Sequence, residues 1–202
     1  MSPKPDVSEE RRAQIVDAAI KVFSRLGFKG SRMDDIVKES GLSKGLLYWY
    51  FKGKDAIIIA VLERLLAPEV EHVERIAASQ GSPREKLMEV ALDAIRDIRA
   101  VNRLLPITFE YYSYAFRNKA VKKVLVEVFA HYYTAIQSII EEGIASGVFR
   151  QIDARTAAVS FGAMLEGSLL LGIFDPKSVD FAKQIESSAE LIIAGLEKHP
   201  AG

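Results

Sequence analysis

Apolar residues recur along this chain at three- and four-residue spacing almost without interruption. No stretch alternates with the period of two that marks a half-buried strand. The pattern predicts an all-α chain of about nine helices. The first helix carries Ile15, Ala19, Val22 and Phe23 on one face. Ser8 is its predicted N-cap, with Glu9 and Glu10 in the first turn, where negative charge suits the helix dipole. Gly27 ends it, because glycine takes the left-handed backbone that closes helices. Ser31 and Asp34 form a variant capping box for a short second helix that stops before Gly41. Ser43 caps a third, which runs to Phe51, and Lys52-Gly53-Lys54 is a turn.

A long helix follows from Lys54 to Ser79. Pro68 falls inside it, and a kink or break is expected there, because proline lacks a donor and crowds the preceding turn. Gly81-Ser82-Pro83-Arg84-Glu85 is the sharpest boundary: Ser82 caps, Pro83 suits the first helical position and Glu85 closes the box. That helix reaches Asn102, and Pro106 lies in the first turn of another that ends near Asn118. A long helix from Lys119 to Ala145 is closed by Gly147, and Asp153 caps one that runs to Phe174. Asp175-Pro176-Lys177-Ser178 is a turn before a last helix to Lys198.

The second and third helices, joined at Gly41, have the form of a helix-turn-helix. Ile36, Val37, Leu42, Leu47 and Phe51 have the spacing of its small core, set against Ile15, Ala19 and Phe23. In that geometry the start of the second of the two helices enters the major groove. The residues there suit the task. Ser43 and Lys44 reach phosphates or base edges, and Gly45 lets the backbone approach closely. Tyr48 and Tyr50 offer hydroxyls on rigid rings, and Lys54 adds a cation. Trp49 either touches the duplex or packs locally, while Leu47 and Phe51 read as core and Lys52 as a solvated turn residue.

The segment from Gly27 to Leu62 resembles the DNA-binding domain of the TetR family of transcriptional regulators. The resemblance is carried by Phe23, Gly27-Phe28, Asp35-Ile36-Val37, Gly41-Leu42-Ser43-Lys44-Gly45, Leu47-Tyr48-Trp49-Tyr50-Phe51 and Lys54-Asp55. It implies an all-α homodimer with three N-terminal helices on double-stranded DNA and a larger C-terminal helical bundle for ligand binding and dimerisation. On this chain the division is expected at residues 1–53 and 54–202. The DNA contacts implied are Arg32, Met33, Ser43, Lys44, Gly45, Leu46, Tyr48, Trp49, Tyr50 and Lys54. Arg32 departs from the threonine frequent in the family, and Leu46 from a small or polar residue. Leu46 suits a thymine methyl.

The C-terminal part offers a type of site. Aromatic residues crowd the helix around Phe109, Tyr111, Tyr112, Tyr114 and Phe116, and the next around Phe129, Tyr132 and Tyr133. Tyr112, Phe129, Tyr133, Phe161 and Leu165 are candidates to line a pocket for an apolar or aromatic effector, with Glu110, His131 and Glu166 as polar anchors. The alternative is that the same residues form a plain packed core. Ala158, Gly162, Leu169, Phe181, Ile185, Ala189 and Ile192 are candidates for a two-fold dimer interface of four helices. Such symmetry predicts a palindromic operator.

Composition changes this picture little. Apolar residues at 49% and charged residues at 27% describe an ordinary globular chain of 202 residues. The absence of cysteine removes thiolate metal sites and cysteine nucleophiles and fits a cytoplasmic location. No signal sequence and no span long enough for a bilayer is expected. His72, His131 and His199 stand far apart, and no phosphate loop or nucleophile elbow occurs, so neither metal, cofactor nor enzymatic activity is expected. A formal charge of zero looks wrong for a DNA binder until the chain is divided. Residues 1–55 hold 11 basic and 8 acidic side chains, and residues 56–202 hold 16 and 19. The expected function is a ligand-responsive repressor. The alternative is a helical ligand-binding or scaffold protein without DNA recognition.

Overall fold

Helices form where the apolar spacing placed them. The structure, a computed structural model, describes residues 7–96, 107, 109–175 and 177–198. Among them are α1 (Val7–Gly30), α2 (Met33–Ser40), α3 (Lys44–Tyr50), α4 (Lys54–Ala78), α5 (Pro83–Arg96), α6 (109–115), α7 (Lys119–Ala145), α8 (Ala154–Phe174) and α9 (Phe181–Leu196). The strand-like pairing among the described residues is one isolated bridge between Phe149 and Glu197. The expected helix end at Asn102, the start at Pro106, the turn residue Pro176 and His199 lie outside the described residues.

Several boundaries follow the expected chemistry. Ser82 and Glu85 form the capping box of α5: the Glu85 carboxylate accepts from the Ser82 N–H at 2.8 Å. These hydrogen bonds hold the Glu85 carboxyl below its usual range. Asp153 accepts from the Thr156 N–H at 2.5 Å, and Asp180 from the Lys183 N–H at 3.1 Å.

Other boundaries shift. The chain is already helical at Val7, so Ser8 lies within α1 and not at the cap position before it. The cap of α2 is not the box of Ser31 and Asp34. Ser31 turns inward and donates to the Phe28 carbonyl at 3.0 Å, and the Asp35 carboxylate accepts from the Arg32 N–H at 2.8 Å. This one-residue shift frees Asp34 to pair with Lys44 at 2.7 Å, which ties α2 to α3. α4 runs unbroken through Pro68, against the expected break. Pro68 removes one hydrogen bond to the Arg64 carbonyl, but both residues are exposed, where water can replace it.

Packing divides the chain into two compact units, one of residues 1–68 and 100–127, the other of 69–99 and 128–202. These packing units do not coincide with a division at residue 53. α4 and α7 each contribute residues to both. In the first unit Ile15, Ala19, Val22 and Phe23 are buried as expected, with Phe28, Ile36, Leu47 and Ile57. In the second, Val73, Leu87, Ile136, Phe149, Phe161 and Ile185 belong to one core. The Phe149 ring lies directly on the α7 backbone at Gly143, where a Cβ would collide with it. Lys86 is buried in the same unit; its ammonium meets the Glu142 carboxylate at 2.7 Å and the Ala77 carbonyl at 3.2 Å.

The regrouping also sharpens the charge pattern. The first unit carries 17 basic and 11 acidic residues, and the second 10 and 16.

Candidate nucleic-acid interface

A short helix presents one face only if its other face is firmly seated. α1 packs on α2, and α2 on α3. Gly41 makes the turn between α2 and α3 with φ 69°, and its N–H donates to the Val37 carbonyl at 3.1 Å. Leu47 is fully buried, and Phe51 is buried with the Arg12 guanidinium 5.3 Å above its ring. Ser43 caps α3, its hydroxyl accepting from the Leu46 N–H at 3.3 Å.

The opposite face of α3 is left to solvent. Ser43, Lys44 and Gly45 are exposed, Tyr48 is 41% exposed and Trp49 66%. A Cβ at Gly45 would meet nothing, so the helix start is open to close approach. The Trp49 ring stands edge-on to Tyr50 at 4.6 Å and 88°, which fixes its direction without burying it. Leu46 and Tyr50 are half-buried, as is Met33 at the start of α2, beside exposed Arg32. The Asp34 carboxylate raises the Lys44 ammonium above its ordinary range, so Lys44 stays a cation at any working pH. These residues form one surface with a cation, hydroxyls and flat rings, the groups that hold phosphates and read base edges.

Lys54 has a task that its sequence position did not show. Its ammonium donates to the carbonyls of Phe28 at 2.5 Å and Ser31 at 3.0 Å, closing the chain between α1 and α2. The same junction receives α6. The Glu110 carboxylate accepts from the Phe28 N–H. Buried Tyr111 donates to the Ile58 carbonyl at 3.0 Å. The Tyr114 hydroxyl donates to Asp55 at 2.6 Å, and the Asn118 amide to the second Asp55 oxygen at 2.7 Å. Burial raises the Tyr111 phenol, and its hydrogen bond to Asp55 raises that of Tyr114, so both remain protonated donors. The Phe28 ring sits edge-on to Phe23, Tyr111 and Tyr114 at 5.0, 4.8 and 5.9 Å. Glu110 is therefore a clasp within the first unit. Sequence reasoning missed it because its partner is 82 residues away.

The pocket candidates are divided between the two packing units. Tyr112 is half-buried on α6 in the first unit, and the other four belong to the second. Phe129 stacks on Tyr133 at 6.0 Å and 14°, and Tyr132 meets Tyr133 edge-on at 6.0 Å. The Tyr133 ring lies against the α8 backbone at Gly162, and the Arg155 guanidinium stands 5.6 Å from its centroid. Burial and the charge of Glu166 raise the phenols of Tyr132 and Tyr133. Phe161 and Leu165 are core residues. A separate open recess of about 480 Å³ is lined by Ala77, Ala78, Ala130, Thr134, Ala135 and Ser138, with Glu74 and His131 facing each other at 3.9 Å.

The dimer candidates divide by burial. Ala158, Gly162, Phe181, Ile185 and Ala189 are buried within a single chain, and Leu169 and Ile192 are half-buried. The five buried residues join α8 and α9 to their own core, while Leu169 and Ile192 keep part of their surface outside it. Among the described side chains of these helices the exposed large apolar residues are Val159, Leu170, Leu171 and Phe174 on α8 and Leu191 on α9. Phe174 is 74% exposed and Leu191 75%. α8 is apolar nearly all round, so it has large apolar side chains on both its buried and its exposed sides.

Comparison with known proteins agrees with this geometry. Residues 15–61 match the family described as "Bacterial regulatory proteins, tetR family", and residues 83–196 match "BetI-type transcriptional repressor, C-terminal". The chain is 24% identical over 184 residues to the fatty acid metabolism regulator protein of Bacillus subtilis, covering 91% of this chain and 94% of that one. It is 25% identical to the HTH-type transcriptional regulator TtgR of Pseudomonas putida, covering 96% and 95%. A crystal structure of a transcriptional regulator from Saccharomonospora viridis in complex with choline shares the fold, with a TM-score of 0.81 at 18% identity, covering 95% of this chain and all of that one.

Proposed function

Since the chain belongs to the tetR family of bacterial regulatory proteins, and is a DNA-binding transcriptional regulator, we propose that it is a repressor that a small molecule releases from its operator. The observation that carries the reading is the exposed face of α3. Two large aromatic side chains, Tyr48 and Trp49, stand in solvent on a helix whose other side is buried at Leu47. Leaving such surface exposed makes sense for a helix that acquires a partner. Ser43, Lys44, Gly45, Tyr48, Trp49 and Tyr50 are the proposed contacts on α3, with Arg32 and Met33 at the start of α2. Leu46 is kept as an apolar contact, and Lys54 as a cation whose first duty is to its own chain.

Two copies would pair through the exposed apolar face of α8 and α9. Pairing would set two recognition helices in successive major grooves, about 34–36 Å apart or a multiple of that, on a palindromic site. The effector proposed is an apolar or aromatic molecule received among the aromatic side chains of α7 and α8. Regulators of this fold have been solved with stearoyl-CoA, choline and triclosan, so the fold itself sets no single ligand chemistry. The effector would act by population shift, favouring a form that fits the operator poorly. α4 and α7 are the continuous helices that carry residues of both units, and they are the proposed route of coupling.

Tyr48→Ala tests the reading. Tyr48 lies outside the buried core and its hydroxyl makes no hydrogen bond with a described residue that holds α3, so the thermal melt should change little. Affinity for the operator should fall about tenfold or more, the value of a hydrogen bond to a charged acceptor. Titration of the variant and the parent with a labelled duplex, by fluorescence anisotropy, measures it. Equal affinities would remove Tyr48 from the interface.

A further inference from the structure

α6 and the start of α7 belong to the same packing unit as the helix-turn-helix, and they bring their own charge to it. From Ala115 to Val126 the chain carries Arg117, Lys119, Lys122 and Lys123 and no acidic residue. All four cations are exposed. Lys123 pairs loosely with Glu127 at 3.7 Å; Arg117, Lys119 and Lys122 form no ion pair with a described residue. Their position is set by two hydrogen bonds. Tyr114 and Asn118 both donate to the Asp55 carboxylate, at 2.6 and 2.7 Å. Asn118 also fixes the opening of α7, its side-chain oxygen accepting from the N–H groups of Ala120 and Val121 at 3.0 and 3.2 Å.

Asp55 follows Tyr50 on the recognition helix by five residues. Five residues span at most roughly 18 Å even when fully extended, and here the chain turns between them. A helix in a major groove about 12 Å wide is flanked by phosphates on both rims. A basic turn bonded to Asp55 is therefore within electrostatic reach of one rim, for the screening length is about 10 Å at 0.1 M salt and about 30 Å at 0.01 M.

We propose that Arg117, on the turn between α6 and α7, and Lys119 and Lys122, in the first turn of α7, form a second contact with the phosphate backbone of the duplex that α3 reads. The partner is chosen by charge complementarity and by bonded continuity with the start of α4. This inference rests on the DNA-binding reading. It assigns no base recognition to the turn: the contact adds affinity for any sequence and steers association.

The test needs no knowledge of the operator. The full chain is titrated with a mixed-sequence duplex over a range of salt. The triple substitution Arg117→Gln, Lys119→Gln and Lys122→Gln is compared with a control on the second unit, Lys177→Gln with Lys183→Gln. Each lost phosphate contact lowers the slope of log affinity against log salt by about 0.9, so the triple variant should be shallower by about 2 to 3 per bound protomer. The control and the thermal melt of both variants should match the parent. A slope that is unchanged in the triple variant but shallower in Lys44→Gln overturns the inference and leaves the recognition helix in place. A parent that shows no salt-dependent duplex binding overturns the DNA-binding reading itself. Phe116, 87% exposed beside these cations, is also the make-up of a membrane-surface contact. Vesicles of anionic phospholipid are therefore a further arm: retention lost in the triple variant with an unchanged DNA slope overturns the proposal.

Discussion

Gly27→Ala is expected to destabilise the first unit by about 3 to 5 kcal/mol, from two independent costs that a single methyl group imposes. Gly27 has φ 68° and ψ 173°, a backbone region that essentially glycine alone occupies. Alanine there costs on the order of 1–3 kcal/mol. The added Cβ would also land on the Glu110 carboxylate, which must then leave the Phe28 N–H. Losing a charged hydrogen bond at a part-buried group costs roughly 1.5–3 kcal/mol. Glu110→Ala incurs the second cost without the first and should lose about half as much. The consequence reaches the DNA face, because α2 and α3 are built on the chain that leaves Gly27. Urea denaturation followed by circular dichroism, with amide exchange of residues 7–68, measures both variants. Equal midpoints for Gly27→Ala and the parent would mean that α6 does not hold this junction.

The second large effect concerns assembly. Phe174→Glu with Leu191→Glu places two charges on the exposed apolar face of α8 and α9. A folded monomer is expected by sedimentation. A dimer engages two half-sites at once, so operator affinity should fall by about 100-fold or more. Ile185→Ala makes the contrast. Ile185 is fully buried within its own chain, and a cavity there costs about 2–5 kcal/mol. That variant should lower the melting temperature and leave the dimer assembled at low temperature. If instead Ile185→Ala separates the subunits and the charged pair does not, the inner face of α9 is the interface after all.

These two predictions turn on features that differ in how far the sequence makes them legible. The helix-turn-helix was legible because its signals are local. Gly41, Ser43, Leu47 and Phe51 fall within 11 residues, and each acts through neighbours three or four positions away. Glu110 and Asn118 were not legible in that way. Each answers a group far back in the chain, and a carboxylate on a helix with many aromatic residues reads equally as a pocket anchor. The sidedness of α8 was not legible for a third reason. α8 has apolar side chains on nearly all its faces, so periodicity identifies a helix without saying which side turns inward. Ala158 and Ile185 could be assigned only once the rest of the core was seen around them.

Trp49 is the only tryptophan in the chain, and it stands two-thirds exposed on α3 with Tyr50 as its ring neighbour. The protein thus carries a built-in optical probe at its reading surface and none of that kind among the helices proposed to take the effector. Emission excited selectively at the indole reports the surroundings of that one ring. A duplex that covers it should change the spectrum without any label. An effector that binds among α7 and α8 should leave the same spectrum unaltered unless its arrival is felt at α3, so one unlabelled cuvette distinguishes occupancy from transmission.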